Sequence, residues 1–275
     1  MRLKAYLICT GLLSCLLLSV ASSFGQDAKL QGGKKGGAPV LMEWKIGDTT
    51  RKALVYLPPG AKTNSTPVIF AFHGHGGTMS NMYTTRRFDL LWPEAIFICP
   101  QGLNTPGSLV DQEGRFPGWQ KGPGVLDDRD LKFFDAMLEY LIKHYKVDQS
   151  RVYCTGHSNG GGFTYLLWAT RGPKFAAVAP TAAVAGKLLG ALKPKPVLHL
   201  LGENDELVKA TWQWSTCKAL LNLNGCNIDS GKTFAPNAKI YSSASGNPVV
   251  IYQHAGGHNY PREANKVIVD FFKLN

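Results

Sequence analysis

A chain of 275 residues, 44% hydrophobic and 18% charged, can bury one sizeable core, and its length fits a single α/β domain better than two small ones. The formal charge of +11 comes from scattered lysines and arginines that read as a solvated basic surface. No basic face is interleaved with aromatic residues, which argues against nucleic-acid binding.

The first 25 residues form a secretory signal peptide by pattern. Arg2 and Lys4 give a positive start, residues 7–20 are apolar, and Ala21-Ser22-Ser23-Phe24-Gly25 supplies small residues for cleavage after Ser23 or Gly25. Cys15 invites a lipid-anchor reading, but apolar residues continue past it. The segment is too short for a membrane span, and no other segment suits one. Secretion, periplasmic or extracellular, is the expected destination. Residues 26–39 are rich in glycine and lysine without hydrophobic period, as a flexible leader would be.

Residues 40–275 carry the catalytic domain expected from the pattern that follows. Residues 41–46 and 52–57 read as a hairpin, and 68–73 as a buried parallel strand running into glycines. A helix is expected over 79–91 and another buried strand over 95–99. Residues 102–124 make a long loop, a candidate wall for a binding site. The strongest helix pattern covers 127–145, with Leu131, Phe134, Leu138, Leu141 and Ile142 on one stripe. Strands at 176–179, 197–201 and 249–254 then alternate with helices at 209–223 and 262–274. This alternation implies a mostly parallel sheet with helices on both faces and no large cap domain.

Residues 152–169 hold the most informative segment, VYCTGHSNGGGFTYLLWA. A β-branched run enters Gly156-His157-Ser158-Asn159-Gly160 and a helix pattern leaves it, the context of a nucleophile elbow. The pentapeptide alone arises by chance in roughly one chain in ten of this length. Its partners must decide. A serine hydroxyl needs a base, and the base an orienting carboxylate, in chain order Ser, Asp/Glu, His for a doubly wound hydrolase. Asp205 follows the strand at 197–201, with Glu203 and Glu206 as rivals in the same loop. His258 follows the strand at 249–254 after two glycines, with His254 as its rival inside the strand. The expected oxyanion donors are the backbone amides of Asn159 and His75, the latter in the loop His73-Gly74-His75-Gly76-Gly77. His144, His157 and His199 read as packing or surface residues.

No Cys/His spacing suits a metal, and His73-x-His75 lacks a third ligand. Cys99 and Cys154 lie in apolar strand patterns as buried thiols. Cys217 and Cys226 are candidates for a local disulfide in an oxidising compartment. Trp119 and Trp212 are candidate stacking surfaces for a substrate ring. Trp212 and Trp214 cannot share one helical face, so at most one of them lines the cleft.

The ordered set HGHGG, PQG, RVYCTGHSNGGGFTY, GENDELV and AGGHNYP resembles the secreted polyhydroxybutyrate depolymerase-like esterases and the related feruloyl and acetylxylan esterases. The resemblance implies an α/β-hydrolase fold, a Ser158–Asp205–His258 triad, a carboxylic ester substrate, small or polymeric, and no cofactor. Where relatives often carry a tryptophan after the catalytic histidine, this chain reads Asn259-Tyr260-Pro261. A monomer is expected. The alternatives are a serine peptidase of the same fold and a catalytically silent binding protein at the cell surface.

Overall fold

Uninterrupted apolar runs that pair side by side, buried on both faces, build the centre of the molecule. The computed structural model describes residues 37–275, so the signal peptide and nearly all of the leader lie outside the described residues. The described residues form one compact unit. Along the chain come β1 (Val40–Ile46), β2 (Thr49–Tyr56), β3 (Thr66–Phe72), α1 (Met79–Arg86), α2 (Phe88–Leu91), β4 (Ile96–Pro100) and the short pair β5 (Leu103–Asn104) and β6 (Pro117–Gly118). Then follow α3 (Arg129–His144), β7 (Val147–His157), α4 (Asn159–Arg171), β8 (Ala177–Thr181), β9 (Val197–Gly202) and α5 (Ala210–Leu223). The chain closes with β10 (Lys232–Ala235), β11 (Ala238–Tyr241), β12 (Val249–His254) and α6 (Ala264–Leu274).

Ten strands form one sheet in the order β1-β2-β4-β3-β7-β8-β9-β12-β11-β10. The six central strands from β4 to β12 run parallel, and an antiparallel hairpin closes each edge. Two apolar cores cover the faces. Helices α3, α4 and α5 pack on one, and α1, α2 and α6 on the other. In α6, Val267, Ile268, Phe271 and Phe272 are buried, each contributing about 1.5–3 kcal/mol by leaving water. The parallel order brings the carboxyl ends of β3, β7, β9 and β12 to one edge, where the candidate residues lie.

Three details depart from the sequence pattern. The helix expected over 79–91 breaks at Arg87, whose φ of 43° is left-handed, into α1 and α2. The helix expected from Asp127 starts at Arg129, because Leu126, Asp127 and Asp128 all have φ of 53–55°. The hairpin β10–β11 is an unforeseen extension of the far edge, its burial too shallow to give a clean alternation.

Arg51 points inward from β2. Its Nη2 reaches Asp130 Oδ1 at 2.8 Å and the Gln101 carbonyl at 3.2 Å, while Asp130 Oδ2 accepts from the Gln120 amide. The pair ties β2, α3 and the loops after β4 and β6 together, and both side chains are buried. Removing one partner leaves a bare charge in the interior. We expect Arg51→Leu to lower unfolding free energy by about 3–5 kcal/mol in urea titration. A loss below about 1 kcal/mol would contradict the structural role given to the pair.

Candidate active site

Strand β7 delivers His157 and stops, and Ser158 sits at φ 55°, ψ −119° before α4 begins at Asn159. An L-residue adopts that conformation only when its surroundings force it. A Cβ on Gly156 would run into the Gly160 carbonyl, and one on Gly160 into the Phe72 carbonyl. Only glycine therefore lets β7, α4 and the end of β3 approach this closely. The turn is pinned by Ser158 N donating to the Thr181 carbonyl and Gly162 N to the Ser158 carbonyl, both at 2.9 Å.

The partners converge on that serine. His258 Nε2 lies 2.8 Å from Ser158 Oγ, and His258 Nδ1 lies 2.8 Å from Asp205 Oδ2. With Nδ1–H donated to the carboxylate, Nε2 is the free acceptor for the serine proton. Asp205 is buried and accepts from the Leu207 and Val208 amides on Oδ1 and from Gln213 Nε2 on Oδ2. Its rivals do not compete: Glu203 and Glu206 are exposed, and Glu203 accepts from Gln253. His254 is also turned aside, with Nδ1 accepting from the Gly256 amide.

The loop after β3 lies beside the serine. A side chain on Gly74 would meet Ser158 Cβ at 3.5 Å. The Gly76 and Gly77 amides donate to the Pro117 and Gly74 carbonyls, whereas those of His75 and Asn159 donate to no described group. His73 Nε2 accepts from the Gly102 amide and Nδ1 donates to the Gly74 carbonyl, so its ring braces the loop. The His75 ring turns away, with Nε2 donating to Asp111 Oδ2 at 2.8 Å. Asp111 also accepts from the Arg115 and Phe116 amides, so one carboxylate ties the 102–124 loop to the HGHGG loop. Between them opens a cleft of about 690 Å³ lined by His75, Val110, Asp111, Arg115 and Phe116.

Two expectations are corrected. Trp119 is fully buried and cannot stack on a substrate: its ring lies against Phe163, and Nε1 donates to the His73 carbonyl. Cys217 and Cys226 are free thiols. Cys217 is packed in the apolar core and Cys226 Sγ donates to the Tyr241 carbonyl, so the disulfide is not formed. Trp212 is exposed with the Lys209 ammonium 5.4 Å from its ring, while Trp214 packs on the core. Trp212 lines neither the 690 Å³ cleft nor the cavity on the other side of the HGHGG loop. Among the described residues, no group of three His, Cys, Asp or Glu is placed to hold a metal, and no helix is long and apolar enough to cross a membrane.

Feruloyl esterase C of Emericella nidulans is 27% identical over 270 residues, covering 90% of this chain and 92% of its own. The acetyl xylan esterase from Aspergillus awamori has the same fold, with a TM-score of 0.65 at 18% identity over 86% of this chain and 100% of that one. The chain has the α/β-hydrolase fold and is similar to the feruloyl esterases. This bears out the resemblance carried by the HGHGG, GHSNG and AGGH segments. The prolyl oligopeptidase family model matches residues 119–220 of the hydrolase. The Pyrococcus horikoshii acylaminoacyl peptidase shares the fold at a TM-score of 0.60 and 15% identity, over 87% of this chain but 42% of that one.

Two residues of the hydrolase escape a motif search. Gln213 stands eight positions after Asp205 on α5, a separation no local pattern marks. His157 read as packing, yet its Nε2 donates to the His258 carbonyl at 3.2 Å and its ring lies 5.2 Å from that of His258. Its adjacency to Ser158 was the available signal.

Burial holds three histidines neutral. It pushes His73 to about 4, His199 to about 4 and, with the Arg86 guanidinium nearby, His157 to about 3. Unfolded, each returns to about 6.5, so the unfolded chain binds protons the fold refuses. Their stabilising contribution is complete above about pH 6.5 and is lost as pH falls toward the folded values. Each histidine then contributes a slope of about 1.4 kcal/mol per pH unit within that window. We expect Tm to fall steeply from pH 6.5 to 4.5, with close to three protons taken up on unfolding by calorimetry. A flat Tm over that range would contradict the neutral histidines.

Proposed function

We propose that the protein is an exported serine hydrolase of carboxylic esters, acting through Ser158, His258 and Asp205. The coarse class, a carboxylic ester hydrolase, is that of the relatives. The observation that carries the catalytic reading is the continuous relay from Ser158 Oγ to His258 Nε2 and from His258 Nδ1 to Asp205 Oδ2, both steps 2.8 Å. His258 takes the serine proton as Oγ attacks the ester carbonyl, and Asp205 fixes the imidazole's tautomer and stabilises its cation. The amides of His75 and Asn159 receive the developing oxyanion, a contribution of about 10²–10³ in rate for each donor in comparable sites. His258 then protonates the departing alcohol. Water, deprotonated by the same imidazole, releases the acid from the acyl-enzyme.

For the substrate, the relatives named feruloyl esterase and the shared fold of an acetyl xylan esterase support feruloyl or acetyl esters of plant cell-wall polysaccharide. The cleft beside His75 suits them, since Phe116 and Val110 present exposed apolar surface there. Polyhydroxyalkanoate esters would meet the same wall. The amino-terminal pattern supports export. A peptidase is the second reading, favoured by the prolyl oligopeptidase family match over residues 119–220.

We expect Ser158→Ala to reduce kcat/KM for p-nitrophenyl acetate by at least about three orders of magnitude with Tm nearly unchanged. Undiminished turnover would overturn the assignment. Methyl ferulate, acetylated xylan, hydroxybutyrate oligomers and peptide p-nitroanilides, assayed side by side, separate the substrate classes. Turnover of the anilides above all the esters would favour the peptidase.

A further inference from the structure

On the other side of the HGHGG loop lies a second cavity, of about 230 Å³. His75 and Gly76 face the larger cleft, while His73, Gly74 and Gly77 face this one, so the same loop divides the two. Its polar walls are Asn81, Thr85, Arg86, His157, Tyr260 and Arg262, and no Asp or Glu lines it. It adjoins the triad through His157, which donates to the His258 carbonyl, and through Gly74, packed against Ser158.

Arg86 is the anomaly. It is buried, yet no carboxylate pairs with it among the described residues, and its one side-chain hydrogen bond is a 3.5 Å contact to the hydroxyl of neighbouring Thr85. The other fully buried arginine, Arg51, has a carboxylate at 2.8 Å and two carbonyls within 3.3 Å. A buried guanidinium without such partners is costly unless something else supplies the negative charge. Arg86 Cζ lies 3.2 Å over the Tyr260 ring centroid, a cation–π contact, and both residues line the cavity. Burial pulls the Arg86 pKa down, opposed only by Tyr260 and Cys99. Neighbouring His157 is neutral and adds no positive charge, while exposed Arg262 offers a second fork at the rim.

We propose that this cavity is a carboxylate subsite, anchored by Arg86, through which the enzyme selects ester substrates that bear an acid group near the scissile bond. A planar guanidinium matches a carboxylate in two parallel hydrogen bonds, which a lysine cannot reproduce. The proposal rests on the ester-hydrolase reading and narrows its substrate class to acidic esters, such as those on uronic-acid-bearing saccharides or at the acid end of a polyester.

Paired substrates read this out at constant ionic strength. 4-Acetoxybenzoate against its methyl ester places the carboxylate on the alcohol side, and monomethyl adipate against dimethyl adipate places it on the acyl side. For at least one pair, the wild-type protein is expected to prefer the charged member. Arg86→Gln should cut that preference by about tenfold or more, chiefly through KM, and Arg86→Lys should restore only part of it. Arg262→Gln, at an exposed position, should cut it several-fold without depending on how the core tolerates change. Turnover of p-nitrophenyl acetate by the wild type checks the ester-hydrolase reading separately. Such turnover with no preference for either charged ester overturns the subsite. Calorimetric titration of Ser158→Ala with adipate and with inorganic phosphate needs no turnover. Adipate binding that is lost in the double variant with Arg86→Gln supports the subsite. No adipate binding overturns it, as does phosphate binding without any charged-ester preference, which would mark a site for free anions.

Discussion

Holding a serine at φ 55° and ψ −119° costs about 1–3 kcal/mol of backbone strain, and the packing of three strands and one helix supplies it. Gly156 and Gly160 let the backbones of β3, β7 and α4 meet where no side chain would fit. The Thr181 carbonyl at the end of β8 then fixes the turn through the Ser158 amide. Trp119 completes the frame from below. Its amide donates to Asn159 Oδ1 at 2.7 Å, Asn159 Nδ2 returns a bond to the Trp119 carbonyl, and its indole donates to the His73 carbonyl. One buried tryptophan thus joins the residue after Ser158 to the loop that faces it. Its value to the site is rigidity.

The same neighbourhood is built around one buried charge. Asp205 is out of water but accepts four hydrogen bonds, from two amides, Gln213 and His258. Those four bonds satisfy the carboxylate and fix its position against the imidazole. Elsewhere in the core His199 Nδ1 lies 2.7 Å from the Tyr165 hydroxyl, and burial holds that histidine neutral. On the opposite side His157, also neutral, secures the His258 backbone without placing a cation beside its ring. Charge is admitted to this edge of the sheet where it has a partner. Arg86 is the exception, and the cavity beside it is where a partner would fit.

Much of this was legible in the sequence because it depends on local pattern. Most of the parallel strands are apolar runs that lead into glycine, and Ser158, Asp205 and His258 each follow one of these. What stayed hidden depends on distance in the chain. Gln213 reaches Asp205 through the start of α5, and Asp111 reaches His75 across a loop of no fixed period. Trp119 misled because an indole near a cleft has the same sequence signature whether it faces solvent or the core. The cysteine pair misled for a related reason: nine positions apart across a helix end, their side chains turn to different packing partners. Arg51 shows the converse, an inward-facing arginine on an edge-side strand whose partner on α3 lies 79 residues away.

The most direct test of the triad is covalent. A fluorophosphonate reacts with a serine only where a base removes its proton and an oxyanion site accepts the developing charge. Intact-mass spectrometry should show one adduct per molecule, and peptide mapping should place it on Ser158. No adduct, or an adduct on another residue, would contradict the assignment of Ser158 as an activated nucleophile.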